Sequence, residues 1–320
     1  MGRYVIIVWS QVGGHAMQSV VSFGFNRIAL LGTILFASAC ASTSSKTGGE
    51  ELPADLSPGT FTVGLDHDGI ERTAIVFVPE SYSSAADTPL VLNFHGFGGI
   101  ARYHMEDGDL RPQAEANGGL LVIPQGSELD GSPHWNPSEP GGDNKSTADD
   151  IGFVEALLGA VQDAYPYNAS RVSAVGYSNG GMMAMGLACQ RSDLIASAGS
   201  VSGVLLDSGC ELSHPMSVIT LHGTEDDVIP YDGSDDYQSA TDVVDYWREQ
   251  SGAAEADPVT LSDGGTDIVH WAHEGGESES AVHHYRVDGG GHVWFRFSVD
   301  GRSANDRIWD FLTAHSIDDL

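Results

Sequence analysis

The chain has 320 residues and is 41% hydrophobic, enough for one large domain or two small ones and too apolar for a wholly disordered chain. Its 40 Gly and 13 Pro follow no G-X-Y period, so it is not collagen-like, and no apolar run reaches the roughly 18 residues of a membrane-spanning helix. With 14 Lys+Arg against 45 Asp+Glu, a formal charge of −31, it repels phosphate backbones, which argues against nucleic acid as a partner.

Residues 1–40 hold no Asp or Glu and two basic residues, Arg3 and Arg27. The apolar stretch Ile28 to Ala39 has the length of a signal-peptide core and is too short to span a bilayer, so 1–40 reads as a signal peptide, with Met17 as an alternative start. It ends in Ala37-Ser38-Ala39-Cys40. Ala37-x-Ala39 suits ordinary cleavage and secretion; the placement of Cys40 resembles a bacterial lipoprotein signal, in which the cysteine becomes the lipidated first residue, although Ala37 stands where leucine is usual. The lipoprotein reading is favoured, and either one places the protein outside the cytoplasm, anchored to the envelope membrane through Cys40 or secreted. Loss of Arg3 and Arg27 makes the remainder more acidic still. Lys46 and Lys145 are its only lysines, a composition that keeps a surface hydrated in salt and suggests a saline habitat. In an exported chain the remaining pair, Cys189 and Cys210, reads as one disulfide.

Residues 41–58, rich in Ser, Thr, Gly, Pro and Glu, read as a flexible tether. From 59 onward, strands are expected at Thr60–Leu65 and Arg72–Pro79 around the turn Asp66-His67-Asp68-Gly69. Pro89–Phe94 and Gly119–Ile123 are short continuous apolar runs, as in strands buried on both faces. Residues 124–148 form a long Gly/Pro/Ser/Asp-rich loop, and Asp150–Tyr165 has helical spacing. Further strands are expected at Arg171–Gly176, Ile195–Val201, Pro215–Leu221, Asp267–His273 and Val282–Val287, with helices at Asn179–Gln190, Asp242–Gln250 and Arg302–His315. This alternation predicts one α/β domain over 59–320, a mainly parallel sheet covered by helices on both faces.

The strongest chemical signal is Gly176-Tyr177-Ser178-Asn179-Gly180, a G-x-S-x-G between a predicted strand and a predicted helix, the context of a nucleophile elbow. The tight turn needs residues almost free of side chain two before and two after Ser178. In this arrangement the acid and then the histidine follow the serine in the chain. Glu225, Asp226 and Asp227 after the strand Pro215–Leu221 all compete for the acid, and His292, behind Gly289-Gly290-Gly291, is the candidate base. An oxyanion hole is expected from the backbone N–H groups of Asn179 and of Phe97 in Phe94-His95-Gly96-Phe97-Gly98-Gly99, with His95 holding that loop. Trp135 and Trp294 are candidates to line a substrate cleft.

LVLNFHGFGG at 90–99, DDIGF at 149–153, RVSAVGYSNGGMMAMGLAC at 171–189, HGTEDDVIPYDG at 222–233 and GGGHVW at 289–294 together resemble the polyhydroxybutyrate depolymerase family, esterases of the α/β-hydrolase fold grouped with feruloyl and acetylxylan esterases. The resemblance spans about residues 59–315. It implies Ser178 as nucleophile, His292 as base and, through H-G-T-x-D, Asp226 as the acid. It also implies that Cys189 and Cys210 pair as in relatives. Phe295 departs from the family, which usually has proline after the tryptophan of G-G-G-H-x-W, and this bears on substrate choice.

The implied activity is hydrolysis of carboxylic esters, feruloyl or acetyl esters or hydroxyalkanoate oligomers, with no metal or organic cofactor. A serine peptidase on the same fold and a catalytically silent binding protein are the alternatives. Asp232, Asp235 and Asp236 lack the ordered spacing of a calcium loop, and His270 and His273 lack further ligands for zinc.

Overall fold

The computed structural model describes residues 57–84, 87–142, 144–206 and 209–319, together with the backbone of an antiparallel hairpin pairing Ile7–Val12 with His15–Val20. Cys40 and nearly all of the expected tether lie outside the described residues.

A ten-stranded sheet forms the centre of the domain. Its strands in chain order are β1 (Gly59–His67), β2 (Ile70–Val78), β3 (Leu90–Phe94), β4 (Leu120–Pro124), β5 (Val172–Tyr177), β6 (Ser197–Val201), β7 (Ser217–Gly223), β8 (Val259–Asp263), β9 (Thr266–His273) and β10 (Val282–Val287). Their spatial order is β8-β9-β10-β7-β6-β5-β3-β4-β2-β1. The six central strands from β10 to β4 run parallel, and antiparallel pairs close both edges. The helices are α1 (Ala101–Asp107), α2 (Arg111–Asn117), α3 (Asp150–Ala164), α4 (Asn179–Gln190), α5 (Ala240–Ser251) and α6 (Ala304–Thr313).

Each predicted strand and helix is present, most of them displaced at their ends by one or two residues. Helices α1 and α2, seven residues each, and the edge strand β8 have no counterpart in the sequence reading, because two turns or one exposed strand are too short to show a period. The β1–β2 connection is a two-residue Asp68-Gly69 turn with both φ values positive, 53° and 78°, the form whose twist matches the flanking strands.

The buried runs predicted for β3 and β4 are explained by packing on both faces. Leu90, Leu92, Phe94, Leu120 and Val122 face α3 and α4, whereas Val91, Leu121 and Ile123 face α1, α2 and α6. The chain builds β3 and β4 toward one edge, then returns at β5 and builds β6, β7 and β10 toward the other. That reversal opens a crevice at the carboxyl ends of β3 and β5, where ligands settle in open α/β sheets. Cys189 at the end of α4 forms a disulfide with Cys210 and pins the loop that follows β6.

The disulfide closes a separation of 21 residues. Replacing both cysteines by serine is expected to lower unfolding free energy by about 3 kcal/mol, read from urea midpoints. Burial also lowers His95, His270 and His315 from 6.5 to about 4 and His104 and His284 to about 3. The folded state therefore binds fewer protons than the unfolded state between pH 6.5 and 4, and stability falls as pH falls through that window. In high salt, which screens carboxylate repulsion, the urea midpoint at pH 5 should lie below that at pH 7.5; an unchanged or higher midpoint refutes the account.

Candidate active site

The elbow follows directly from two glycines. A methyl on Gly176 would strike the backbone of Gly180, and one on Gly180 would strike the carbonyl of Phe94. With both positions bare, β5 turns into α4 within one residue, and Ser178 adopts φ 55° and ψ −122°, a conformation that costs a non-glycine residue about 1–3 kcal/mol. Its amide is tied to Val201 O at 2.9 Å and its carbonyl to the amide of Met182 at 3.0 Å. The side chain is thereby raised at the carboxyl end of the sheet, beside the unpaired first amides of α4.

His292 reaches Ser178 from the glycine loop after β10. Its Nε2 lies 2.9 Å from Ser178 Oγ, and its Nδ1 lies 2.8 Å from Asp226 Oδ2. Asp226 is buried, whereas Glu225 and Asp227 are exposed, and of the three carboxylates Asp226 is the one in contact with His292. Asp226 Oδ1 accepts from the amides of Val228 at 3.0 Å and Ile229 at 2.8 Å. Burial pushes the Asp226 carboxyl up, but hydrogen bonds from His222, His292 and those two amides outweigh it and hold the group well below the usual carboxylate range. His222 Nε2 lies 3.4 Å from Asp226 Oδ2 and donates chiefly to Ile229 O at 2.8 Å.

The glycine loop is held at several points. Gly290 O accepts from the Glu225 amide at 2.8 Å, and the Gly289 amide donates to Thr224 Oγ1 at 2.8 Å. Ser202 Oγ donates to Val293 O at 3.1 Å, and the Tyr177 hydroxyl donates to His292 O at 2.7 Å. Tyr177 is the first variable residue of G-x-S-x-G, and its ring also lies against the His292 imidazole, centroids 5.1 Å apart. The sequence reading missed this anchor, and nothing in the motif itself marks it. Phe295, the departure from the family pattern, is buried beneath Gly290 rather than open to a substrate.

The loop after β3 comes to the same point. A Cβ on Gly96 would lie 2.9 Å from the Tyr177 ring and 3.3 Å from Ser178 Cβ. The Gly98 and Gly99 amides are committed to Pro133 O at 2.6 Å and Gly96 O at 2.9 Å, framing the amide of Phe97. His95 secures the loop: its Nδ1 donates to Gly96 O at 2.7 Å, and its Nε2 accepts from the Gly126 amide at 2.9 Å. Its pKa of about 4, set by burial, keeps it in the neutral form these two bonds require.

The tryptophans correct the sequence reading. Trp135 is fully buried, edge-on to Phe94, with its indole N–H donating to His95 O at 2.9 Å; it cannot line a cleft and instead supports the loop from behind. Trp294 is largely buried and donates to Asn305 Oδ1 at 2.8 Å, leaving little surface for a ligand. His270 stacks on Tyr285 and His273 accepts from the Ala256 amide, so neither is arranged as a ligand. The one cluster among the described residues with donors enough for a metal ion, His67, Asp68 and Asp149, lies at the β1–β2 turn and the start of α3, where Asp149 already caps the Gly152 amide.

A strained serine, a histidine in contact with it and a buried carboxylate, on a mostly parallel sheet with helices on both faces, define an α/β-hydrolase. Residues 69–299 match the esterase family described as "Putative esterase", and the chain belongs to that family, whose reaction class is carboxylic ester hydrolysis. Feruloyl esterase B of Piromyces equi is 25% identical over 77% of this chain, which spans 46% of that protein. "Probable feruloyl esterase C" of Aspergillus terreus is 25% identical over 89% of this chain and 97% of its own length. The acetyl xylan esterase structure from Aspergillus awamori superposes with a TM-score of 0.57 at 16% identity, covering 75% of this chain and 93% of that one, and has the same fold.

Tyr177→Phe tests the anchor of the histidine loop. The variant should fold, with kcat for an aryl ester reduced about 5- to 10-fold, the worth of roughly one buried hydrogen bond, and KM little changed; wild-type kcat would show that the other ties suffice.

Proposed function

We propose that the protein is a serine esterase acting outside the cytoplasm through Ser178, His292 and Asp226. The observation that carries this reading is the unbroken hydrogen-bonded run from Ser178 Oγ through His292 to Asp226, mounted on a strained elbow. Ser178 Oγ attacks the ester carbonyl carbon as its proton passes to His292 Nε2. The amides of Phe97 and Asn179 receive the carbonyl oxygen as it becomes an oxyanion, a contribution on the order of 3 kcal/mol for each donor. Collapse expels the alkoxide, which takes the proton from His292. A water then gives a proton to His292 and attacks the acyl carbon, and Ser178 departs with its proton restored. Asp226 keeps the Nδ1–H tautomer in place and faces the imidazolium when it forms.

The surroundings favour an apolar acyl group. Phe97 is 52% exposed, Val293 48%, Val228 54% and Leu206 42%; the first three lie on the loops that carry the oxyanion amide, the base and the acid, and Leu206 lies on the loop after β6. Large apolar side chains left in water on the loops that carry the reacting groups suit a bulky, largely apolar ester better than a bare acetyl group. With feruloyl esterases among the relatives, an aromatic acyl ester is the leading substrate class, ahead of acetylated xylan and hydroxyalkanoate oligomers. The disulfide supports an oxidising compartment, and Cys40 is the residue that would carry a lipid anchor.

The test compares wild type with Ser178→Ala, Asp226→Asn and Glu225→Gln on a feruloyl ester, a short-chain aryl ester and a hydroxybutyrate oligomer. Ser178→Ala should abolish turnover. Asp226→Asn should lower kcat by about 10⁴-fold while Glu225→Gln stays near wild type. Hydrolysis that survives Ser178→Ala, or equal losses at 225 and 226, would overturn the assignment.

A further inference from the structure

The second variable residue of G-x-S-x-G also reaches away from the elbow. The side chain of Asn179 is buried and pairs with the backbone of Trp135 in both directions. Its Oδ1 accepts from the Trp135 amide at 2.7 Å, and its Nδ2 donates to the Trp135 carbonyl at 3.1 Å. From Trp135 the connection continues through the indole N–H to His95 O, two residues before Phe97. The far side is fixed as well: the Asn136 amide donates to Asp150 Oδ2 at 2.8 Å, and Asp150 is paired inside the domain with Arg72. One residue thus supplies a backbone N–H beside Ser178 and, through its side chain, a rigid link to the loop that carries the other N–H.

We propose that the Asn179 side chain is a positioning residue that sets the separation of the two oxyanion donors, with Trp135 as the relay. This rests on the serine-esterase reading above. Donors held at the right spacing before the reaction need no reorganisation when the oxyanion forms, which is the condition under which they are most effective. The chemistry at 179 is restrictive. Aspartate offers only acceptors and would set a carboxylate against the Trp135 carbonyl. Glutamine adds a methylene that moves the amide out of register with the two Trp135 backbone groups, and alanine takes the partner from both.

The experiment measures kcat, KM and inhibition by an aryl trifluoromethyl ketone, whose hemiketal oxyanion with Ser178 reads the hole directly, in wild type, Asn179→Ala, Asn179→Asp and Trp135→Phe. In Asn179→Ala, kcat should fall about 10- to 100-fold with KM within about twofold, and the ketone Ki should rise by the factor that kcat/KM falls. Trp135→Phe, which removes the indole N–H and trims a fully buried ring, should show the same parallel change of kcat/KM and Ki at about 3- to 10-fold. If the alanine and aspartate variants do not fold, the phenylalanine variant decides. A parallel loss there upholds the relay, and wild-type Ki overturns it. Wild-type kcat and Ki in Asn179→Ala, or a loss explained wholly by fewer titratable active sites, also overturns it. Failure of the underlying reading looks different: wild type itself neither turns over esters nor binds the ketone.

Discussion

The approach of one backbone to another at Gly180 is the constraint on which the remaining geometry depends. The start of α4 lies so close to the end of β3 that no side chain fits between Gly180 and the Phe94 carbonyl. That contact brings the loop after β3 against the elbow after β5, although about eighty residues separate them in the chain. It also forces the one-residue turn in which Ser178 takes a left-handed φ. The strain is tolerable because β5 is central, flanked by β3 and β6, and because the Ser178 amide is bonded across to Val201. On an edge strand the same turn could relax at little cost.

Around that fixed point the other groups arrive on loops, and each loop is tied down by hydrogen bonds to its backbone rather than by ion pairs. The histidine loop has no bulk of its own: its glycines let it lie on Gly223 and Thr224, and its rigidity is borrowed from Tyr177, Ser202, Thr224 and the amide of Glu225. The loop after β3 borrows its rigidity from His95, Trp135 and Pro133. Glycine permits the close approach, and neighbouring side chains remove the freedom that glycine brings. Both variable residues of the serine motif take part, one toward each loop.

The candidate site was legible wherever chemistry and chain order coincide. Ser178 stood between a readable strand and a readable helix, and His292 followed an unmistakable glycine run. Spacing does not separate Glu225, Asp226 and Asp227, which differ in burial and in the amides they face, both tertiary facts; it is the family resemblance that points to Asp226. The tryptophans misled for the opposite reason. An indole beside a loop motif reads as cleft or core equally well, and only the packing of Trp135 on Phe94 and His95 separates them. Helices α1 and α2 escaped notice because seven residues cannot display an amphipathic period, and both helices owe their existence to the sheet face they cover.

A chain with twelve arginines and two lysines needs another means of tying buried loops together, and it uses neutral histidine. His95 donates at one nitrogen and accepts at the other, joining the loop after β3 to Gly126. His284 sits between Thr220 and Tyr231, linking β10 to β7 and to the loop beyond Asp226. His104 donates to Asn93, whose amide donates to Gly108 O, fastening α1 under the end of β3. An imidazole held neutral by burial offers one donor and one acceptor without the desolvation cost of a buried charge. The arrangement leaves the acidic surface free of any structural duty in the interior. It also makes these junctions points of acid sensitivity: protonating His95 turns the nitrogen that accepts from the Gly126 amide into a second donor facing a donor.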